Sequence, residues 1–211
     1  MANAKIFGIG FQKTGTTSLM RALRLLQYKV IGQMTWDDPD IAKNVLKSAF
    51  ALLDDFDAFQ DHPWPNLYKE LDLECPNSKF ILTLRPTDRW IASVVRHFGR
   101  TSSPMREWTY GAGAPAGNEA IYIERYEQHN KEVQEYFKDR PGDLLVMRIT
   151  EGEGWEKLCP FLGKGLGDIP FPRVNEAGVR ERRNSPLYRL HSRLHAILSR
   201  AGLHRFLSRP D

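Results

Sequence analysis

Cysteine is scarce in this chain, which has two cysteines among 211 residues. Cys75 and Cys159 lie far apart in the sequence and fit no metal-ligand spacing. We therefore expect two buried thiols in a reducing compartment, by default the cytoplasm, and we expect no metal site.

Long apolar runs and a strong excess of charge are also missing. No segment approaches the ~20 apolar residues of a membrane span, and no stretch near the start has the length of a signal-peptide core. The formal net charge of +4 favours anionic ligands, but it is too small to indicate nucleic acid. The remaining composition is typical of a soluble globular protein. We expect one domain over residues 1–211, with its core at about 5–176 and a basic helical segment at about 185–209.

Strand and helix patterns alternate along the chain, which predicts an α/β fold. We expect a three-layer sandwich around a central, mostly parallel sheet of about five strands. The strands are predicted at residues 5–10, 28–31, 58–60, 79–84 and 144–147. The helices are predicted at residues 16–26, 38–53, 64–73, 89–98, 120–138, 155–162 and 186–207. Residues 99–117 are rich in glycine and proline and are predicted to form a long loop.

The most informative motif follows the first predicted strand and leads into a helix. Its core is Lys13-Thr14-Gly15-Thr16-Thr17-Ser18, preceded by Gln12. The first N–H groups of a helix have no partner within the helix, and the helix dipole adds partial positive charge there. One lysine and four hydroxyls at this junction predict a cradle for a phosphate or sulfate group. The motif is not the Walker A form, because Gln12 stands where that motif has a glycine before the lysine.

Two further motifs follow predicted strands. Arg85 ends the fourth strand and Ser93 lies eight residues later in the next helix, a pairing that suits a phosphate. Asp61 and His62 follow the third strand, and histidine has an ordinary pKa suited to accepting a proton from a hydroxyl. Ligands of parallel α/β sheets bind at the carboxyl ends of the strands, so we expect all these residues at one edge.

Together these motifs resemble those of sulfotransferases that use 3′-phosphoadenosine 5′-phosphosulfate (PAPS), and the resemblance covers about residues 5–176. It implies the P-loop-NTPase-like sulfotransferase fold and metal-independent, in-line transfer of a sulfuryl group to a hydroxyl or amine. Arg85 and Ser93 would bind the 3′-phosphate. His62 matches the catalytic histidine of cytosolic members, whereas Asp61 matches an Asp-x-Pro motif of bacterial ones, so either could be the base. Lys13 would neutralise charge on the leaving group. The 5′-phosphosulfate would bind to Gln12, Lys13, Thr14, Gly15, Thr16, Thr17 and Ser18.

The resemblance also leaves alternatives open. Ser18 stands where many relatives have a tryptophan that stacks on adenine, so the adenine contact must come from elsewhere. A magnesium-dependent kinase on a variant P-loop and a non-catalytic nucleotide-binding or membrane-associating module are the competing hypotheses.

We expect a small-molecule or carbohydrate acceptor and adenosine 3′,5′-bisphosphate (PAP) as the product. For the basic C-terminal helix, docking on the core is favoured over contact with a membrane surface. The sequence does not indicate an oligomeric state.

Overall fold

The structure, a computed structural model, describes residues 4–165 and 168–174. In these residues it contains five strands and seven α-helices, with short 3₁₀ turns at Trp64–Leu67 and Ile149–Glu151. The strands are β1 (Ile6–Gly8), β2 (Val30–Ile31), β3 (Ala58–Gln60), β4 (Lys79–Thr83) and β5 (Leu144–Met147). The helices are α1 (Thr16–Leu25), α2 (Ile41–Phe50), α3 (Tyr68–Glu74), α4 (Thr87–Phe98), α5 (Pro104–Tyr110), α6 (Glu119–Tyr136) and α7 (Trp155–Leu162).

The chain divides into two compact units, Met1–Pro172 and Arg173–Asp211. The first unit contains every strand and helix given above. The predicted basic helical segment at residues 185–209 lies outside the described residues, as does the predicted end of the core at residue 176.

The five strands form one parallel sheet in the order β2-β3-β1-β4-β5. Strand β1 is central, and Gly8 pairs with Gln60 of β3 on one side and with Ile81 of β4 on the other. The carboxyl ends of these three neighbouring strands therefore meet at one edge. The predicted parallel five-stranded α/β sheet is confirmed.

Successive strand residues face opposite sides of the sheet, so β1 contributes to two cores. Phe7 packs with residues of α2, α3 and α6 on one face, whereas Ile6 packs with residues of α1 and α7 on the other. This arrangement gives the three predicted layers. A third buried cluster, formed by Phe11, Tyr110, Ala112 and residues of α4 and α6, lies next to the loop that follows β1.

The prediction of a loop over residues 99–117 was wrong, because this stretch contains helix α5. The Ser103 hydroxyl accepts from the Arg106 N–H at 3.3 Å, and Pro104 occupies the first turn, so the helix has an ordinary start. The Arg106 side chain is buried and donates to the carbonyls of Thr101 and Gly113 at 2.6 and 2.9 Å. These bonds fold the segment around one guanidinium.

Both cysteines are free thiols, but only Cys75 is buried as predicted, whereas Cys159 is half-buried. No helix within the described ranges is both long and apolar enough to cross a membrane.

Candidate active site

Two glycines at the end of β1 let the strand ends approach one another. A Cβ at Gly10 would lie 2.0 Å from the Thr83 hydroxyl and 2.5 Å from the Thr83 carbonyl oxygen, and a Cβ at Gly8 would lie 2.7 Å from the Gln60 Cβ. Neither site has room for a side chain. The segment after β1 therefore runs directly beside the ends of β3 and β4.

The loop between β1 and α1 then turns through two left-handed residues. Lys13 has φ of 71° and Gly15 has φ of 110°, and Gly15 is the N-cap of α1. The Thr14 hydroxyl lies 2.6 Å from both the Phe11 carbonyl and the Thr83 hydroxyl. Because this hydroxyl is used inside the protein, Thr14 would have to contribute to anion binding through its main chain.

The start of the helix shows how this loop relates to the Walker A motif. Gly10 and Gly15 are separated by four residues, as are the two glycines of Gly-x-x-x-x-Gly-Lys-Ser/Thr. In this register Thr16 occupies the position of the Walker lysine and Thr17 that of the magnesium-binding hydroxyl. The cation is instead Lys13, within the loop. The helix N-terminus is thus retained, while the lysine stands at a different position in the sequence.

Arg85 lies beside this loop. Its Nη1 atom donates to the Lys13 carbonyl at 3.2 Å, although the two residues are 72 positions apart in sequence. The structure therefore brings the two predicted cationic residues to the same edge of the sheet. Ser93 is buried in α4, which begins two residues after Arg85.

Two aromatic residues that were not predicted as part of the site, Trp90 and Tyr126, form hydrogen bonds to the main chain of the Lys13 loop and of Arg85. The Tyr126 hydroxyl donates to the Arg85 carbonyl at 2.8 Å and accepts from the Arg85 N–H at 3.0 Å. The Tyr126 ring stacks on Trp90 at 4.0 Å between centroids, and the Trp90 indole donates to the Gln12 carbonyl at 2.9 Å. The helical spacing of Tyr122, Tyr126 and His129 on α6 is a sequence signal for the buried face of this helix.

Asp61 and His62 form the third part of the site. The Thr16 hydroxyl donates to Asp61 Oδ2 at 3.4 Å, so this carboxylate faces the first turn of α1. Asp61 Oδ1 accepts from the His62 N–H at 3.0 Å and lies 3.6 Å from His62 Nδ1. The other ring nitrogen, His62 Nε2, is buried and has no hydrogen-bond partner among the described residues. One carboxylate thus contacts both the anion cradle and the imidazole.

A second histidine, His129 of α6, packs behind this group. Its Nε2 atom lies 2.8 Å from the Ile9 carbonyl, and its ring stacks on Phe11 at 4.2 Å. Burial lowers the pKa of His129 to about 3, so the ring is neutral near pH 7. Since a carbonyl only accepts, Nε2 carries the proton and Nδ1 is an acceptor.

Comparison with known proteins identifies the class to which this fold and site belong. A family model described as sulfotransferase domain matches residues 5–179, and the chain belongs to that family. The protein is therefore a transferase that moves sulfuryl groups. A search of curated proteins gave no significant match. Among the described residues, no group of three or more histidine, cysteine, aspartate and glutamate side chains could hold a metal ion.

Proposed function

We propose that this sulfotransferase uses PAPS as the donor and a hydroxyl or amine of a small molecule or carbohydrate as the acceptor. The observation that carries this proposal is the 3.2 Å hydrogen bond from the Arg85 guanidinium to the Lys13 carbonyl. It places a second cation next to the lysine loop. PAPS carries negative charge at two ends, so a site with two neighbouring cationic regions suits it.

The residues present fit such a donor. The 5′-phosphosulfate would bind at the N-terminus of α1, where Lys13 and the hydroxyl of Thr17 add to the main-chain donors. Thr16, whose hydroxyl donates to Asp61, would contribute through its main chain. The 3′-phosphate would bind to Arg85 and Ser93. The bonds of Tyr126 to Arg85 and of Trp90 to Gln12 would fix the two regions relative to each other.

For the proton transfer we propose His62 as the base and Asp61 as the residue that orients it. His62 Nε2 has no partner within the described residues, while Nδ1 faces the Asp61 carboxylate at 3.6 Å. A neutral imidazole with one nitrogen held by a carboxylate can accept a proton on the other. Because Asp61 also accepts a hydrogen bond from Thr16, this carboxylate links the imidazole to the first turn of α1, where the reacting group would bind.

The transfer is an in-line displacement. The acceptor oxygen or nitrogen loses its proton to His62 Nε2 and forms a bond to sulfur. The bond between sulfur and the 5′-phosphate oxygen breaks, and its electron pair leaves on that oxygen, which gives PAP. Lys13 and the N–H groups at the start of α1 would stabilise the charge that develops on the leaving phosphate without a metal ion.

The free thiols Cys75 and Cys159 support a reducing compartment such as the cytoplasm.

The donor is tested by thermal unfolding with PAP in the presence of EDTA. A ligand that binds only the folded protein stabilises it by about 2.7 kcal/mol at a concentration 100 times its dissociation constant. We expect this stabilisation in the wild type and in the exposed control Lys47→Ala. Lys13→Ala and Arg85→Ala should lose most of it at the same PAP concentration. Equal stabilisation of all four proteins, or none in the wild type, would contradict the proposed donor site.

A further inference from the structure

We infer that Arg148, which follows β5, provides a second guanidinium for the 3′-phosphate of the nucleotide donor, beside Arg85. This arginine was not predicted as part of the site. The inference rests on the proposed function, because it adds a residue to the same donor site. It makes Arg148 a residue that selects nucleotides with a 3′-phosphate over nucleotides without one.

Arg148 and Arg85 follow neighbouring strands at the same edge of the sheet. Met147, the last residue of β5, pairs with Thr83, the last residue of β4. The Leu84 N–H donates to the Met147 carbonyl at 2.8 Å, so the parallel pairing continues one step beyond β4. The main chains that carry the two guanidinium groups therefore leave the sheet side by side.

The residue after Arg148 packs against the start of α1. Ile149 is buried, and a Cβ at Gly15, the N-cap of α1, would lie 2.9 Å from the Ile149 Cβ. The segment that carries Arg148 is thus in contact with the loop proposed to hold the 5′-phosphosulfate. Its neighbours are the two cationic regions assigned to the donor, the Lys13 loop and the segment at Arg85.

The alternation of residues directs Arg148 to the side of the sheet on which α6 packs. Met147 and Ile149 belong to the core on the side of α1 and α7, and successive extended residues face opposite sides. Tyr126 of α6, which bonds to the main chain of Arg85, senses this charge. Burial is the main cause that raises the pKa of Tyr126, and the positive charges of Arg85 and Arg148 both oppose that rise. Two arginines thus act on one hydroxyl.

The main chain of Arg148 is fixed, whereas its guanidinium has only an exposed partner. The Glu153 carboxylate accepts from the Arg148 N–H and from Lys157 Nζ, the latter at 2.7 Å. Arg148 Nε lies 3.6 Å from Glu151 Oε2, and the Arg148 side chain is 50% exposed. An exposed ion pair of this length contributes little to stability, so an anionic ligand can replace Glu151 as the partner.

The charge of a 3′-phosphate favours a second cation. A phosphate monoester carries about −1.5 to −2 charges at pH 7, whereas Arg85 supplies one positive charge and Ser93 supplies a neutral hydroxyl. Arg148 would supply the second positive charge. A guanidinium also presents a fork of donors that matches phosphate oxygens, so it recognises the phosphate by geometry as well as by charge.

The test compares PAP with adenosine 5′-monophosphate (AMP), which lacks only the 3′-phosphate. Dissociation constants of both nucleotides are measured by isothermal titration calorimetry on the full chain, in EDTA and at low ionic strength. We expect Arg148→Gln to weaken PAP binding about tenfold, because charge-assisted hydrogen bonds to the ligand are lost. Its AMP binding should change less than about twofold. Arg148→Lys keeps the charge without the fork, so its PAP affinity should fall between those of the wild type and Arg148→Gln.

Glu151→Gln separates a ligand-binding role of Arg148 from a purely structural one. It removes the carboxylate that competes for the guanidinium, so PAP should bind roughly twofold more tightly than to the wild type. The gain should disappear when Arg148→Gln is already present. The matched control is Arg21→Gln, an exposed arginine of α1, which should bind PAP like the wild type.

If Arg148→Gln binds PAP as tightly as the wild type does, or loses PAP and AMP binding equally, the inference is overturned. Lys13→Ala and Arg85→Ala report separately on the donor site. If these two variants lose PAP binding and Arg148→Gln does not, the inference fails while the proposed function stands. If the wild type does not bind PAP, both fail.

Discussion

At the scale of single residues, the division of work between Asp61 and His62 decides the mechanism. Asp61 is in contact with the first turn of α1, whereas His62 Nε2 is buried and has no hydrogen-bond partner among the described residues. If His62 is the base, His62→Gln should lower kcat by about 10²–10⁴-fold, the usual contribution of general base catalysis. Asp61→Asn should lower it less, because the imidazole remains. Both variants should still be stabilised by PAP in the thermal unfolding assay.

The opposite ranking of the two variants would assign the base to Asp61. In that case Asp61→Asn abolishes transfer while His62→Gln keeps most of it.

The glycines of the loop give a second prediction at this scale. Gly15 has φ of 110°, and a Cβ there would lie 2.9 Å from the Ile149 Cβ, so Gly15→Ala should cost about 1–3 kcal/mol of the free energy of unfolding. Gly10→Ala should cost more than about 3 kcal/mol, because the added atom meets the main chain of Thr83. Chemical denaturation measures both effects.

Gly142→Ala is the matched control, because a Cβ at this glycine meets no atom within 4 Å. We expect its effect to stay within about 0.5 kcal/mol. A similar cost at all three positions would mean that the close approaches of the loop do not limit stability.

Single residues also show what sequence reasoning can reach. Lys13, Arg85, Asp61 and His62 could be predicted to lie near one another, because each follows a strand and parallel strands share a carboxyl edge. The role of Tyr126 could not be predicted in this way. Its position depends on how α6 packs across the strand ends, and a periodic pattern gives the buried face of a helix without naming its partner.

At the scale of elements, α5 and its flanking turns depend on Arg106. This guanidinium is buried and donates to the carbonyls of Thr101 and Gly113. Arg106→Ala would remove two hydrogen bonds of a buried side chain, although the Gly113 carbonyl would still accept from the Ser103 N–H, so we expect a loss of about 2–4 kcal/mol in the free energy of unfolding. Limited proteolysis should then cut within residues 99–117 faster than in the wild type. The exposed Arg100→Ala is the control and should resist cleavage like the wild type.

The elements themselves were mostly predictable, and the exceptions have physical reasons. The five strands are mostly apolar runs bounded by turn residues, and their predicted positions overlap the observed ones. Helix α5 was missed because glycine and proline on both sides masked its start, although Ser103-Pro104 is an ordinary helix beginning. Helix α4 begins at Thr87, directly after Pro86 and two residues before its predicted start at residue 89.

At the scale of the whole molecule, the order of the sheet explains why one site can use residues so far apart in sequence. Strand β1 lies between β3 and β4, so the chain segments after residues 8, 60 and 83 meet without long connections. Helix α6 packs against these segments. His129 and Arg125 contact Phe11, and the Tyr126 hydroxyl donates to the Arg85 carbonyl. The same packing that builds the site also buries a titratable group.

That group, His129, makes the stability of the protein depend on pH. Burial is the main cause that lowers its folded-state pKa to about 3, and the charges of Arg125 and His62 act in the same direction. The unfolded chain binds a proton near pH 6.5 that the folded chain does not bind until about pH 3. Stability from this residue is therefore complete above about pH 6.5 and is lost as the pH falls, by up to about 1.4 kcal/mol per unit. Between pH 7.5 and pH 5 this amounts to about 2 kcal/mol.

His129→Gln cannot titrate and still offers a donor to the Ile9 carbonyl, so its free energy of unfolding, measured with urea, should fall by about 2 kcal/mol less over the same range. Because the other histidines are common to both proteins, an equal fall in both would mean that His129 is protonated in the folded state.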